Sequence, residues 1–287
     1  GDTVTPLIVL AVSVVLNIGG DLLLIVVLHM GVLGAAVATV LSQLIAVVVC
    51  AVYLWKKYEI LRIRVDDMKL QDAGMLRNML SSGLSMGFMS SLVNIGTLTL
   101  QTSINKLGQN IIIAHTAARK ISEIFMIMFS VFGQTMATYC GQNLGAGEIT
   151  RIKKGVHASS FLAFLTSAFI SIVMFLFGKT LLSMFISGDP EQTSQVLAIA
   201  WHYLSIMASC LCILYFLYVY RSALQGLGNT MIPMLSGVVE FFVRVGVALL
   251  LPKLIGQNGI FYAEIAAWTG AAVLLMISYY INIRKFA

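Results

Sequence analysis

The sequence predicts an all-α polytopic membrane protein, and three observations carry that reading. Hydrophobic residues make up 59% of the 287 and charged ones only 10%, against about 25% charged in soluble domains. Eight apolar runs, at 7–28, 32–54, 79–103, 111–138, 156–178, 196–220, 231–252 and 260–283, each reach the ~20 residues that cross a hydrocarbon core. The basic residues between the runs divide unequally. Counting alternate sides from Gly1, one side holds twelve (Lys56, Lys57, Arg62, Arg64, Lys69, Arg77, Arg151, Lys153, Lys154, Arg221, Arg284 and Lys285) and the other three (Lys106, Lys179 and Lys253). That bias places both ends on the cytoplasmic side of the plasma membrane. The net charge of +6 follows from these loops and gives no reason to expect nucleic acid as a partner.

The first two runs form a hairpin whose polar residues stand out. Asn17 and Asp21 are four apart and share one helical face. Asp21 precedes His29 by eight and Thr39 follows Gly31 by eight, so Asp21 and Thr39 should lie at similar depth on antiparallel helices. An ionisable side chain at that depth is costly unless it meets a cavity, a partner or a ligand. Gly228-Asn-Thr-Met-Ile-Pro233 repeats the opening Gly1-Asp-Thr-Val-Thr-Pro6, and Gly259 and Ala263 repeat Gly31 and Ala35 one residue out of step. Internal repeats of this kind mark transporter folds.

Residues 56–78 read as a cytoplasmic linker, with Asp72 capping a short amphipathic helix that carries Met75, Leu76, Met79 and Leu80. The third run has no charge, is rich in Gly and Ser, and places Asn94 and Gln101 seven apart on one face. They would line a cavity or bond neighbouring helices. The fourth run carries His115, Arg119, Lys120 and Glu123. Its i,i+3 and i,i+4 spacings predict self-neutralising pairs, either as a helix lock or as a cavity wall. Gly141-Gln-Asn-Leu-Gly-Ala-Gly-Glu148 reads as a tight turn and not a helix. Asp189-Pro190-Glu191 predicts a turn entering a helix. The sixth run holds Trp201, His202, Tyr203, Tyr215, Tyr218 and Tyr220. Such aromatics form interfacial belts more often than cavity walls. Glu240 and Arg244 make a further i,i+4 pair, and Glu264 stands alone beside Tyr262.

Several classes fall away. No Gly-Lys-Ser/Thr ends the glycine-rich segment, so it is no phosphate loop. Cys50, Cys140, Cys210 and Cys212 form no metal or redox spacing. The histidines are scattered, and no nucleophile–base–acid arrangement supports an enzyme. A cofactor is not called for.

Taken in order, Gly1-Asp-Thr-x-Thr-Pro6, Asn17-x3-Asp21, Gly31-Val-Leu-Gly-Ala-Ala-x-Ala-Thr39 and Gly141-Gln-Asn-Leu-Gly-Ala-Gly147 resemble the MATE (multidrug and toxic compound extrusion) family. Ala114-His-Thr-Ala-Ala-Arg-Lys120 is similar to its DinF-like branch. The resemblance implies twelve helices in two six-helix lobes. This chain, which lacks an initiator Met, would then supply helices five to twelve of a longer protein. Residues 1–55 would end the N-terminal lobe, 56–78 would link the lobes, and 79–287 would form the C-terminal lobe.

The resemblance also implies a monomeric antiporter that exports organic cations or amphiphilic drugs in exchange for H+ or Na+. Its partners would be those small molecules and membrane lipid. In the branch most resembled, an Asn and an Asp on helix five and a Thr on helix six serve coupling. Asn17, Asp21 and Thr39 match them, with Asp21 as the group that would hold a proton or Na+. Other branches place acids in helices seven and ten; runs 79–103 and 196–220 contain none. Gly83-Leu-Ser85 departs from the Gly-Leu-Pro that bends helix seven in the family. A flippase for lipid-linked oligosaccharides or peptidoglycan precursors is the alternative transport reading. A non-transporting membrane scaffold or receptor is the alternative from another class.

Overall fold

The computed structural model describes residues 2, 4–62 and 73–285. The described residues are helical apart from short connections. The elements are α1 (Val4–Asp21), a π-helical segment (Leu22–Val27), α2 (Gly31–Lys57), a 3₁₀ turn (Glu59–Leu61), α3 (Ala73–Asn105), α4 (Gln109–Gly145), α5 (Ile149–Phe185), α6 (Pro190–Ser209), α7 (Leu211–Gly226), α8 (Met231–Ile255), a second 3₁₀ segment (Gln257–Tyr262) and α9 (Ala263–Arg284). Among the described residues, seven helices are long and apolar enough to cross a membrane, and the bent pair α6–α7, taken as one span, makes an eighth. The chain divides into two compact units, Gly1–Ala73 and Gly74–Ala287.

The first unit is the α1–α2 hairpin. Gly34, Ala38 and Ser42 are buried at four-residue spacing along α2, a small-residue stripe that lets two helix backbones come close. Ser13 donates to the Ser42 carbonyl at 3.0 Å, and a Cβ on Gly20 would lie 3.0 Å from that of Ala38. Residues 20 and 38 therefore stand level. At the far end Asp2 fastens the hairpin. It accepts from the Thr5 amide at 3.1 Å, from Tyr53 Oη at 2.6 Å and from Tyr58 Oη at 3.3 Å. Lys57 Nζ lies 3.5 Å away.

In the second unit α4 packs on α5, α6 and α7, α7 on α5 and α9, and α8 on α9. The core is mostly apolar, with fully buried Tyr203, Tyr215 and Tyr279 within it. Asn229 repeats the role of Asp2: its Oδ1 accepts from the Ile232 amide at 3.2 Å. Its Nδ2 reaches Asn282 near the end of α9 at 3.3 Å. The two copies of the opening motif thus cap a helix and fasten a hairpin in the same way.

Four elements differ from the sequence reading. The first run is not a uniform α-helix: directly after Asp21 it widens into π-helix, a local change often found at functional sites. The sixth run breaks at Cys210, with a 46° bend between α6 and α7. The segment expected as a turn from Gly141 stays helical to Gly145, and only Ala146–Glu148 leave the helix. Within the segment Gly147, at φ +74°, is the residue whose backbone favours glycine. The close crossing of α4 and α7 rests on Gly226, where a Cβ would lie 2.6 Å from the Ala137 carbonyl oxygen. The amphipathic segment around Met75 is the start of α3, which continues unbroken past Gly83 and Ser85. Asp72, Asp66, Asp67, Lys69 and Arg64 lie outside the described residues.

Candidate functional site

Among the described residues, two groups of polar side chains lie within the membrane helices, one in each unit. In the first, Ser13, Asn17 and Asp21 recur every four residues along α1, on the face turned to the small stripe of α2. Asn17 Nδ2 donates to Thr39 Oγ1 at 3.3 Å. Thr39 in turn donates to the Ala35 carbonyl at 2.9 Å. Asp21 Oδ1 is buried and has no hydrogen-bond partner among the described residues. A carboxylate oxygen withdrawn from water and left unpaired is out of balance. It invites a proton, a cation or water. The structure thus brings Asn17 and Thr39 together and leaves Asp21 beside them with free acceptor capacity.

The second cluster is an ion-pair chain through the second unit. Arg119 Nη1 lies 2.7 Å from Glu264 Oε1, and its Nε lies 3.2 Å from Glu123. Tyr203 Oη donates to Glu264 Oε2 at 2.9 Å. Across a cavity of about 130 Å³ shared with Met126, Phe129 and Trp268, Glu240 pairs with Arg244 at 3.4 Å and with Arg221. Arg244 also donates to the Val93 carbonyl at 3.1 Å. His115 is buried against Tyr203, with ring centroids 5.0 Å apart. Neither of its nitrogens has a partner among the described residues.

Several expectations change on this geometry. Glu264 is not alone: it is buried and holds both Arg119 and Tyr203. Arg221, counted as a loop cation, sits inside α7 and is 5% exposed. Its signal lay in Arg221-Ser-Ala-Leu-Gln225, which continues the helix without a break. Tyr203, Tyr215 and Tyr220 form no belt at the ends of the helices, because all three are buried in the core. Lys120 is exposed, and Arg119 rather than Lys120 carries the network. Asn94 is exposed on α3, while Gln101 bonds Asn105 on its own helix at 2.9 Å. Neither joins the cavity.

The repeat ties the two sites together in register. Counted from Pro6, Ser13 and Asn17 come seven and eleven residues later; counted from Pro233, Glu240 and Arg244 do the same. One helical stripe therefore carries the polar residues in both copies, while Asp21 is answered by the apolar Ala248.

Long apolar helices that keep unpaired or ion-paired polar groups in their interior define a polytopic membrane protein built like a transporter. The MatE family profile matches residues 85–250, more than half of the chain, and the chain belongs to that family. It is similar to the probable multidrug resistance protein YpnP of Bacillus subtilis, 25% identical over 262 residues, covering 91% of this chain and 57% of the relative. It is also similar to the probable multidrug resistance protein NorM of Thermotoga maritima, 26% identical over 283 residues, covering 94% and 57%. Among solved structures, an outward-facing multidrug resistance MATE transporter superposes with a TM-score of 0.85 at 18% identity. A MOP superfamily transporter from Pyrococcus furiosus superposes at 0.86, also at 18%. Each superposition covers 97% of this chain and 62% of the other. The chain thus spans less than two thirds of the length of these relatives.

Proposed function

We propose that this chain is the latter part of a cation-coupled exporter of organic cations and amphiphilic drugs, with Asp21 as the coupling group. The observation that carries the proposal is the buried, unpartnered Oδ1 of Asp21 beside the Asn17–Thr39 pair. When ionised, the carboxylate holds a negative charge in an apolar helix pair. Uptake of H+ or Na+ removes that charge. The hairpin can then repack at the π-helical segment that begins at residue 22, where the backbone is already wider than an α-helix. Asn17 and Thr39 supply neutral oxygens, the hard ligands that Na+ takes, or hydrogen bonds that orient the carboxyl group. Residues 1–55, 56–78 and 79–287 act as lobe end, linker and second lobe, and both ends of the chain face the cytoplasm. The likeness to the DinF-like branch, and the names of the relatives as multidrug resistance proteins, favour drug export over a structural role.

The charged cavity of the second unit does not favour the flippase reading. Arg119, Arg221 and Arg244 each hold a carboxylate partner, which leaves no free pair of guanidinium groups for a pyrophosphate. Asp21→Asn in the full-length protein is the test. The substitution keeps volume and hydrogen bonding but cannot ionise. Drug resistance and ion-dependent efflux in proteoliposomes should fall to background while the protein still folds and inserts. Running the efflux assay with a Na+ gradient alone and a pH gradient alone identifies the ion. Wild-type efflux by the variant would remove Asp21 from the mechanism.

A further inference from the structure

A groove of about 390 Å³ runs between α4 and α5 and shares no lining residue with the ion-pair cavity of the same unit. Val131, Phe132 and Thr135 of α4 and Ala158 and Leu162 of α5 line it, and Tyr139 lies at the end nearest the α4–α5 turn. Val131 and Leu162 are more than half exposed, so the groove opens toward the surroundings of the bundle. A Cβ at residue 155 would lie 2.2 Å from the Tyr139 ring. Gly155 is therefore what lets the ring lie across this end. Tyr139 Oη donates to the Arg151 carbonyl at 3.2 Å, which ties the ring to the first turn of α5.

An unfilled apolar groove forfeits dispersion contacts along its length. In a bilayer the filler at hand is an acyl chain. Charge would select which lipid supplies it. Arg151 and Lys154 stand one turn before Gly155 and Ala158, on the same face of α5. Both are exposed. They sit at the positive end of the helix dipole, where the N-cap is Glu148 and the first turn beyond it carries no acid. Two cations and the dipole thus face a single carboxylate and favour a further anion. Glu148 approaches Arg151 only at 3.8 Å, in a pair that is largely exposed. Lys154 has no carboxylate within 4 Å among the described residues. A general excess of basic residues on the cytoplasmic side would place cations at this end of the helices. It does not explain why two of them align with an apolar groove.

We propose that the groove is a binding site for an anionic phospholipid. One acyl chain lies between α4 and α5, and the phosphate rests against Arg151, Lys154 and the first turn of α5. Basic residues beside intramembrane clefts recognise lipid headgroups in this way. The site shares no residue with the ion-pair chain, and it does not depend on the transport proposal.

Native mass spectrometry of the full-length protein tests it. The protein is purified in neutral detergent, delipidated, and offered phosphatidylglycerol and phosphatidylcholine with identical chains. Wild type should retain one phosphatidylglycerol in preference to phosphatidylcholine. Arg151→Gln with Lys154→Gln should weaken that retention about 25-fold, at about fivefold per cation. Ala158→Phe fills the groove and should abolish the preference. Ala158→Leu serves in its place if the larger residue prevents folding. Lys179→Gln, distant in sequence from the groove, should change nothing. Inorganic phosphate should fail to displace the lipid, because the chain contributes to binding. Equal retention of the two lipids would overturn the proposal, as would wild-type retention by the double variant or an equal loss with Lys179→Gln. Displacement by phosphate alone would show an anion site that needs no lipid, and would overturn it too.

Discussion

Replacing Glu240 by Gln should destabilise the second unit by about 3–5 kcal/mol, the loss found when one partner is removed from a buried ion pair. The geometry sets that size. Glu240 and Arg244 are each 3% exposed and Arg221 5%, so the three charges are almost wholly withdrawn from bulk water. Glu240 is the carboxylate that both guanidinium groups share. The variant keeps the side-chain volume, so no cavity opens. The arginines keep their neutral acceptors as well: Ser236 Oγ for Arg221 at 3.0 Å, and the Val93 carbonyl and Thr97 for Arg244. What is lost is charge compensation for two buried cations. Interhelical hydrogen bonds in membranes average only about 0.6 kcal/mol, so the measurement separates the two origins. The assay is reversible unfolding of the purified full-length protein in detergent, followed by tryptophan fluorescence. Glu240→Leu combined with Arg221→Met and Arg244→Met should recover most of the loss, because apolar replacement of a complete buried ion cluster is often neutral or better. A loss below about 1 kcal/mol for the single variant would refute this reasoning. So would a triple variant no more stable than the single one.

Other outcomes follow from the same contacts. Gly226→Ala should cost about 1–3 kcal/mol by overpacking, since the new methyl would meet the Ala137 carbonyl and Cys140 Cβ; thermal unfolding measures it. Thr39→Ala removes one long hydrogen bond from Asn17 and should change stability by about 1 kcal/mol or less, while slowing ion-coupled efflux in proteoliposomes. The Asp2 carboxyl is held well below the usual range, first by the Tyr53 hydroxyl and then by the Thr5 amide and hydroxyl. Because the folded form is the more acidic, the fastening contributes fully above the ordinary value near 3.8. It is lost only as pH falls through the lower folded value. Wild type should therefore outlast Asp2→Asn on heating at pH 5 to 8 and converge with it in acid. Cys140 is wholly buried and should resist maleimide in the folded protein, reacting only on denaturation.

The number, order and approximate limits of the membrane helices were legible in the sequence, because a hydrocarbon core demands long uncharged runs wherever the chain crosses it. The shared face of Asn17 and Asp21 was legible from their four-residue spacing. Equal distances from the turn paired Asp21 with Thr39 in depth, whereas the residue that bonds Thr39 is Asn17, one turn earlier on α1. The helical course of Gly141–Gly145 was not. Glycine reads as a breaker when considered locally, but of the three in this segment only Gly147 takes the positive φ that ends the helix, and Gly141 and Gly145 stay helical. The break at Cys210 left no proline or glycine to mark it.

By itself the sequence determined that this chain is a helical membrane protein, where its repeated hairpins lie, and which face of α1 is polar. These features depend on neighbours in the chain and on the solvent each segment must match. Only the tertiary structure decided the ion-pair partners. Glu264 finds Arg119 across 145 positions of sequence, and Arg221 turns from loop cation to core residue by pairing with Glu240. Long-range charge pairing has no period to betray it. It is fixed by which helices pack together, and in an apolar interior a charge must find its opposite wherever the fold has placed it.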